Sequence, residues 1–308
     1  MLTSVWERLL QRAPIGPNER FFDLGGDPPL AFKLFTQIAD AFGRELPPTT
    51  IYQAPTISAL AKLLDSPAPP PFSPLVLLNS GSELPPVFIA HGAGSHVLEF
   101  FGLMKHMGTA RAVYGLQSKG SDGSDHPLAS VKDMVRFHVH AVQSVQPRGP
   151  YTLIGYSFGG VVMFEMARLL SARGEKIDLL VMIDAYPCVR KITPWTRAHM
   201  EFNQAKYRLS DAFWALRDRA HRTPLVDVRE RSDFSSLLAW IRHRPGIYAG
   251  RVKFVRAENS DYPDPVPLWR PFAADFQVET TPGDHHGCLL TSYESLTSLL
   301  LSYLNASS

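Results

Sequence analysis

Residues 155–160 read Gly155-Tyr156-Ser157-Phe158-Gly159-Gly160 and lie between an apolar run, residues 151–154, and a long pattern typical of a helix. Small residues beside a serine permit a tight strand-to-helix turn, which exposes the hydroxyl at the helix N-terminus. The motif alone is weak, since it would occur by chance in roughly one chain in ten of this length. Its context supports it, because residues 177–183 then predict a buried parallel strand.

A serine hydroxyl is a weak nucleophile unless a histidine takes its proton and an acid orients that histidine. We predict Ser157 as the nucleophile, Asp184 as the acid and His285 as the base. Asp184 ends the strand 177–183, and His285 follows the last strand pattern, residues 276–279. The chain order serine, acid, histidine is that of α/β-hydrolases, so we predict a mostly parallel sheet covered by helices.

The acid and the base both have competitors. Many α/β-hydrolases place the acid one strand later, and here residues 252–255 are followed by Glu258, Asp261 and Asp264. His286 is the second candidate for the base.

A tetrahedral intermediate needs two backbone N–H donors. One is expected from Phe158, which follows the nucleophile, and the other from the loop after an early strand. Residues 86–90 predict that strand, and the small residues that follow His91 make Ala93 the expected second donor. His91 itself is better explained as a structural residue than as a catalytic one.

Five segments form a shared pattern: Phe88-Ile89-Ala90-His91-Gly92-Ala93-Gly94, Val113-Tyr114-Gly115-Leu116-Gln117, Gly149-Pro150-Tyr151, residues 155–160 and Gly283-Asp284-His285. Together they resemble the thioesterase domains that end nonribosomal peptide and polyketide synthases. The resemblance implies that the triad acid lies just after the strand that follows the nucleophile helix. Asp184 occupies that position, which favours it over Asp261.

The first 65 residues carry a second pattern. Apolar residues recur at helical spacing in residues 2–10, 30–42 and 56–64, and Phe21-Phe22-Asp23-Leu24-Gly25-Gly26-Asp27 precedes the second of these runs. The pattern resembles the carrier domains of the same synthases, which are small helical bundles. The resemblance implies a phosphopantetheine arm on a serine that follows the aspartate.

That serine is replaced here by Pro28, and no hydroxyl residue lies between Asp27 and Thr36. Proline suits the first position of a helix that Asp27 caps, so we expect a folded bundle that cannot be loaded and no covalently bound cofactor. Three explanations stay open: a degenerate carrier that only docks, a site altered by design, or acyl delivery by another protein or a free thioester. We favour the first, with delivery in trans.

We therefore expect a carrier-like domain at residues 1–65, a linker at 66–74 and an α/β-hydrolase domain at 75–308. The linker is proline-rich, and in a polyproline II conformation it could hold the two domains about 25 to 30 Å apart. Alternatively it packs as a strap along the hydrolase surface, anchored by Phe72. Residues from about 190 to 247 interrupt the α/β pattern with helical, aromatic and arginine-rich sequence, which predicts a lid over the serine. One hypothesis is that basic residues of this lid contact a phosphopantetheine phosphate: Arg197, Lys206, Arg208, Arg217, Arg219 and Arg222.

The composition of the 308 residues fits one large core and a small bundle. A net charge of +2 indicates no nucleic-acid partner. Cys188 and Cys288 are too few for a disulfide framework and lack metal-ligand spacing, so we expect a cytoplasmic protein without a metal. We also find no signal peptide and no apolar run long enough to span a membrane.

The predicted function is that of a thioesterase, which cleaves an acyl or peptidyl thioester through a covalent ester on Ser157. The expected partner is a carrier protein or synthase module that presents the thioester in trans. An editing acyl-CoA thioesterase or a carboxylesterase would share the fold and the triad. A docking module without chemistry is the alternative from a different class.

Overall fold

A computed structural model describes residues 1–68, 70–81, 84–94, 96–187 and 225–306, with side chains from residue 232 onward in the last range. Within these residues a small helical bundle is followed by a larger domain in which helices cover a seven-stranded sheet. The predicted lid residues 190–224, their basic side chains and Cys188 lie outside the described residues.

The bundle has its own apolar core, as the helical spacing of its sequence predicts. Trp6, Phe21, Leu34 and Ile38 are fully buried in it. Asp27 caps the second helix, because its side chain accepts a hydrogen bond from the backbone N–H of Leu30 at 2.8 Å. The helices are α1 (Leu2–Leu10), α2 (Pro28–Phe42), α3 (Thr50–Gln53) and α4 (Ile57–Asp65).

The sheet is parallel except for one edge strand. Its strands are β1 (Leu75–Asn79), β2 (Leu84–Ala90), β3 (Arg111–Leu116), β4 (Tyr151–Tyr156), β5 (Ile177–Ile183), β6 (Val252–Ala257) and β7 (Phe276–Thr281). Their spatial order is β1-β3-β2-β4-β5-β6-β7, and only β1 runs antiparallel to its neighbour β3. This arrangement confirms the predicted mostly parallel sheet.

Helices pack on both faces of the sheet because its central strands are apolar on both sides. In β5, Leu180 and Met182 belong to one core, whereas Leu179 and Val181 belong to the other. The remaining helices are a 3₁₀ helix (Val97–Phe100), α5 (Phe101–His106), α6 (Val131–Val145), α7 (Phe158–Ala172), α8 (Leu225–Arg242), α9 (Pro265–Trp269), α10 (Gly287–Leu290) and α11 (Tyr293–Ala306).

The linker does not act as a spacer that separates the bundle from the sheet domain. The Phe72 ring lies 6.3 Å from that of Phe137 in α6, as the alternative strap conformation predicts. Phe22 of the bundle lies 4.9 Å, centroid to centroid, from Phe101 of the sheet domain. The expected separation of about 25 to 30 Å is therefore wrong, because apolar surface on the two parts is buried between them.

Parallel strands bring their carboxyl ends to one edge of the sheet. His91 follows β2, Ser157 follows β4, Asp184 follows β5, and the loop with His285 follows β7. Residues that are up to 194 positions apart in the chain therefore meet at this edge, where the candidate active site lies.

Candidate active site

Ser157 occupies a strained turn between β4 and α7. Its φ angle is +53°, a region that L residues rarely adopt, and its N–H donates to the Ile183 carbonyl at 2.8 Å. The turn needs glycine at position 159, since a Cβ there would overlap the Ala90 carbonyl. This close approach places the N-terminus of α7 against the loop that follows β2.

His285 joins Ser157 and Asp184 by hydrogen bonds. Its Nδ1 lies 2.7 Å from Asp184 Oδ2, and its Nε2 lies 3.0 Å from Ser157 Oγ. A carboxylate can only accept, so Nδ1 carries the proton and the unprotonated Nε2 faces the serine hydroxyl. The three side chains predicted from the sequence are thus in mutual contact, with geometry that suits proton transfer from Ser157 to His285.

Asp184 is fully buried and is held by groups other than His285. Ser260 Oγ donates to Oδ2 at 2.8 Å, and the Tyr186 hydroxyl donates to Oδ1 at 3.1 Å. The Ala257 N–H approaches Oδ1 at 3.3 Å. A buried carboxylate is costly unless it is hydrogen-bonded, so these partners fix the side chain beneath the histidine ring. Ser260 and Tyr186 were not predicted from the sequence, because no local pattern marks a hydroxyl as a partner of a distant carboxylate.

Aromatic side chains enclose His285. The Tyr156 ring stacks on it at 5.2 Å, and the Tyr156 hydroxyl donates to the His285 carbonyl at 2.8 Å. The Tyr262 ring lies 5.2 Å from the imidazole on another side and stacks at 4.4 Å on Tyr186. These rings restrict the imidazole and keep water from much of its surface.

The competing residues lie elsewhere. Glu258, Asp261 and Asp264 are exposed, and Asp264 caps α9 through the Val266 N–H at 3.0 Å. In the described part of the chain, the carboxylate that accepts the hydrogen bond from His285 is that of Asp184. His286 has its Nδ1 3.4 Å from the Tyr156 hydroxyl.

The loop after β2 lies directly beside Ser157. A Cβ placed on Gly92 would be 3.4 Å from the Ser157 Cβ. The Gly92 N–H donates to Glu99 Oε1 at 2.9 Å, and His91 Nδ1–H donates to the Gly92 carbonyl at 2.8 Å. Burial lowers the pKa of His91, against a smaller opposite effect of that hydrogen bond, so the ring is neutral near pH 7. His91 therefore acts as a structural support of this loop, in which Ala93 follows Gly92.

Helix α8 forms part of the predicted lid and packs on the loop that follows β2. A Cβ on Gly94, whose φ is +64°, would overlap the Asp233 carboxylate of α8. The Trp240 indole N–H donates to the Tyr186 carbonyl at 2.8 Å, and its ring lies 5.7 Å from that of Phe158. α8 therefore contacts the loop after β2, the residue that follows Ser157 and the segment after β5.

Cys288 lies near the triad but is a packing residue. Burial is the main cause that raises the pKa of its thiol to about 12, and the thiol donates to the His285 carbonyl at 3.3 Å. In the part of the chain that the structure describes, no cluster of histidine, cysteine and carboxylate side chains is arranged to hold a metal ion. No described helix is both long and apolar enough to cross a membrane.

The position at which carrier domains bear their arm is Pro28, the first residue of α2. Asp27 beside it forms the helix cap, as predicted. The residues from Pro28 to Phe35 have no side-chain hydroxyl, so they do not fit a covalently attached phosphopantetheine.

Comparison with curated proteins finds large synthases. A dimodular nonribosomal peptide synthase of Bacillus subtilis is 37% identical over 188 residues, which are 61% of this chain and 8% of that protein. Malpibaldin synthetase of Mortierella alpina is 30% identical over 288 residues, which are 88% of this chain and 5% of that protein. The chain thus spans less than a tenth of the length of these two relatives.

Solved structures share the fold. A holo four-domain nonribosomal peptide synthetase bound to AMP and glycine matches with a TM-score of 0.64 and 21% identity, over 98% of this chain and 25% of that one. The NocB thioesterase domain in covalent complex with a fluorophosphonate nocardicin G analog has a TM-score of 0.56 and 24% identity, over 71% and 94%.

Family models match both parts of the chain. The model described as phosphopantetheine attachment site matches residues 2–64, and the model described as thioesterase domain matches residues 85–240. The second match includes Ser157 and Asp184 and extends over just over half of the 308 residues. The chain therefore belongs to the thioesterase domain family.

Proposed function

We propose that this chain releases an acyl or peptidyl group from a thioester, through a covalent ester on Ser157, in nonribosomal peptide or polyketide biosynthesis. The observation that carries the proposal is the hydrogen-bonded chain from Ser157 through His285 to Asp184, at 3.0 and 2.7 Å. The family match supports thioesters as the substrate class. The large synthases among the relatives support the biosynthetic setting, and the cytoplasm is its proposed location.

In the first half-reaction, Ser157 Oγ attacks the thioester carbonyl carbon while His285 Nε2 takes the hydroxyl proton. The tetrahedral intermediate collapses, the carbon–sulfur bond breaks, and the proton passes from His285 to the departing thiolate. An acyl ester on Ser157 and a free thiol result. Asp184 holds Nδ1–H throughout and stabilises the imidazolium that forms between the two proton transfers.

In the second half-reaction, His285 takes a proton from water, or from a hydroxyl or amine of the bound chain. The resulting nucleophile attacks the ester, and the proton returns to Ser157 Oγ as the product leaves. Water gives a free acid, whereas an internal nucleophile gives a ring. The N–H groups of Phe158 and Ala93 are the proposed donors to the oxyanion in both steps.

The substrate is proposed to come from a carrier other than the bundle of this chain. Because Pro28 provides no hydroxyl for an arm, the bundle cannot present a thioester of its own. A carrier protein or synthase module then delivers the acyl group in trans.

Intact mass spectrometry tests the proposal. The full chain is incubated with an acyl-phosphopantetheine thioester, beside the variant Ser157→Ala, and a parallel sample receives a phosphopantetheinyl transferase and coenzyme A. We expect an acyl adduct or released acid with the wild type alone, and no arm on either protein. An active Ser157→Ala variant would refute the mechanism, and arm attachment to the wild type would refute the interpretation of Pro28.

One observation favours a second candidate, an editing hydrolase that clears free or misloaded acyl thioesters. Because Pro28 replaces the attachment serine, the chain has no phosphopantetheine arm of its own. An editing enzyme does not need one. Rates on short free acyl thioesters, on carrier-bound peptidyl thioesters and on matched oxygen esters separate the candidates. An enzyme of biosynthetic release should prefer the carrier-bound peptidyl thioester. An editing enzyme should prefer the short acyl thioesters. A carboxylesterase should cleave the oxygen esters as fast as the matched thioesters.

A further inference from the structure

The helical bundle is packed against the segment that follows the oxyanion loop. Leu98 of the 3₁₀ helix is fully buried and belongs to the apolar core of the bundle. On either side of it, the Phe32 ring lies 5.2 Å from the His96 ring, and the Phe22 ring lies 4.9 Å from the Phe101 ring. We call residues 96–101 the bridging segment, because the bundle contacts it along its length.

The same segment is also anchored in the sheet domain. Phe100 is fully buried in the core beneath β2 and β4, and Val97 is fully buried with its Cγ1 against the backbone of Gly115 in β3. The bridging segment therefore has one face in each of two cores. A change in the position of the bundle acts on it directly, because close-packed interiors transmit displacement.

Glu99 connects the bridging segment to the oxyanion loop. Its Oε1 accepts the Gly92 N–H at 2.9 Å, while His91 Nδ1–H holds the Gly92 carbonyl at 2.8 Å. The N–H and the carbonyl of Gly92 are thus both held, the first by Glu99 and the second by His91. The next residue is Ala93, whose N–H is the proposed oxyanion donor. That N–H shares a planar peptide unit with the Gly92 carbonyl, which His91 holds, while Glu99 holds the N–H of the preceding peptide unit.

We propose that Glu99 is a positioning residue for the oxyanion loop and that the bundle holds it in place through the bridging segment. In this view, which rests on the proposed function, the bundle no longer delivers a substrate but has become a fixed part of the enzyme. The loss of an attachment residue at Pro28 and the burial of Leu98 in the bundle core are both consistent with permanent docking. A carrier that delivers acyl groups would have to leave this surface and return.

Kinetics of the full-length chain on an acyl-phosphopantetheine thioester test the role of Glu99. Because a misplaced oxyanion donor costs about 10²-fold in rate, Glu99→Leu should lower kcat by about that factor and change KM little. Glu99→Gln keeps an oxygen acceptor for the Gly92 N–H and should recover most of the lost kcat. Equal kcat for Glu99→Leu and the wild type would overturn the proposal.

Variants of the bundle test the transmission. Phe22→Ala removes a ring that touches Phe101 and should lower kcat about tenfold. Phe42→Ala, at the C-terminal end of α2, is the matched control and should leave kcat unchanged. If the two sites act through one loop, Phe22→Ala adds little to the effect of Glu99→Leu, whereas multiplied effects would overturn the proposed transmission.

Hydrogen exchange separates a failure of this inference from a failure of the proposed function. We expect Phe22→Ala and Glu99→Leu to speed backbone exchange in residues 88–98 while the melting temperature stays close to that of the wild type. Phe42→Ala should not affect exchange there. Unchanged exchange in the two test variants would refute the inference even if the wild type proved inactive, because this measurement does not depend on turnover.

Discussion

The charge of the site is stabilised by hydrogen bonds to single residues. Asp184 has no exposed surface, and its oxygens accept hydrogen bonds from an imidazole, two hydroxyls and a backbone N–H. Removal of the charge would leave the imidazole without the acceptor that fixes its tautomer. Asp261 lies in the loop after β6, near Ser260, but is exposed.

We therefore predict different outcomes for the same substitution at the two aspartates. Asp184→Asn should lower kcat on a thioester by about 10³ to 10⁴, because Nδ1 of His285 then faces an amide. Asp261→Asn is the matched control and should keep the wild-type kcat. Steady-state turnover, with circular dichroism to verify folding, checks both, and a comparable loss in the two variants would contradict the assignment.

Within helix α6, one histidine is buried without charge. His138 is 6% exposed, and burial is the main cause that lowers its pKa to about 3, with His91 nearby as the second. Its Nδ1 has no hydrogen-bond partner among the described residues. An unfolded chain binds a proton at this imidazole below about pH 6.5, whereas the folded chain does not. The stability that it contributes is therefore present above that pH and is lost as the pH falls toward 3.

We predict that the wild type loses more stability in acid than the variant His138→Leu does. Between pH 7 and pH 5 the difference in the free energy of unfolding should be about 2 kcal/mol, the cost of excluding one proton from the folded state. His140→Gln, an exposed position of the same helix, should behave as the wild type does. Urea denaturation at the two pH values measures the effect, and parallel loss in wild type and His138→Leu would rule it out.

The elements could be predicted from sequence where they depend on local pattern. The turn at Ser157 and strand β5 follow from small residues and apolar runs that are adjacent in the chain. Strand β1 was not predicted, because Leu75–Asn79 has no alternating pattern and depends on antiparallel pairing with β3.

Support for the site depends on contacts between distant parts of the chain, which no local pattern encodes. Ser260 reaches Asp184 across 76 positions. Trp240 reaches the carbonyl of Tyr186 across 54 positions. For the same reason the sequence could indicate a bundle but not its contact with the bridging segment.

The whole molecule is a bundle and a sheet domain joined by an apolar interface. Phe32 lies one helical turn after Pro28 and packs on His96, so the start of α2 is turned toward the sheet domain. An enzyme that modifies carrier domains would need access to this end of α2, and the proposed permanent docking would restrict that access.

We predict that a serine at position 28 is not sufficient for efficient loading. Pro28→Ser should accept an arm from a phosphopantetheinyl transferase at least about tenfold more slowly than the double variant Pro28→Ser with Phe22→Ala, because loss of the Phe22 ring weakens docking. The wild type is the negative control. Time-resolved intact mass spectrometry follows the reaction, and equal rates for the single and double variants would argue against restricted access.

The linker between the bundle and the sheet domain is held by hydrogen bonds at both ends. The Arg44 guanidinium donates to the carbonyls of Leu64, Ser66 and Ala68 at 3.3, 2.6 and 3.4 Å, and the Gln117 side chain donates to that of Ser73 at 3.0 Å. A flexible linker to a loaded carrier domain would give the attached thioester an effective concentration in the millimolar range at the active site, and dilution of the sample would not lower it. If a separate carrier delivers the acyl group, as proposed, this effect of attachment is absent. We then expect the rate to follow second-order kinetics and to fall in proportion as the donor thioester is diluted.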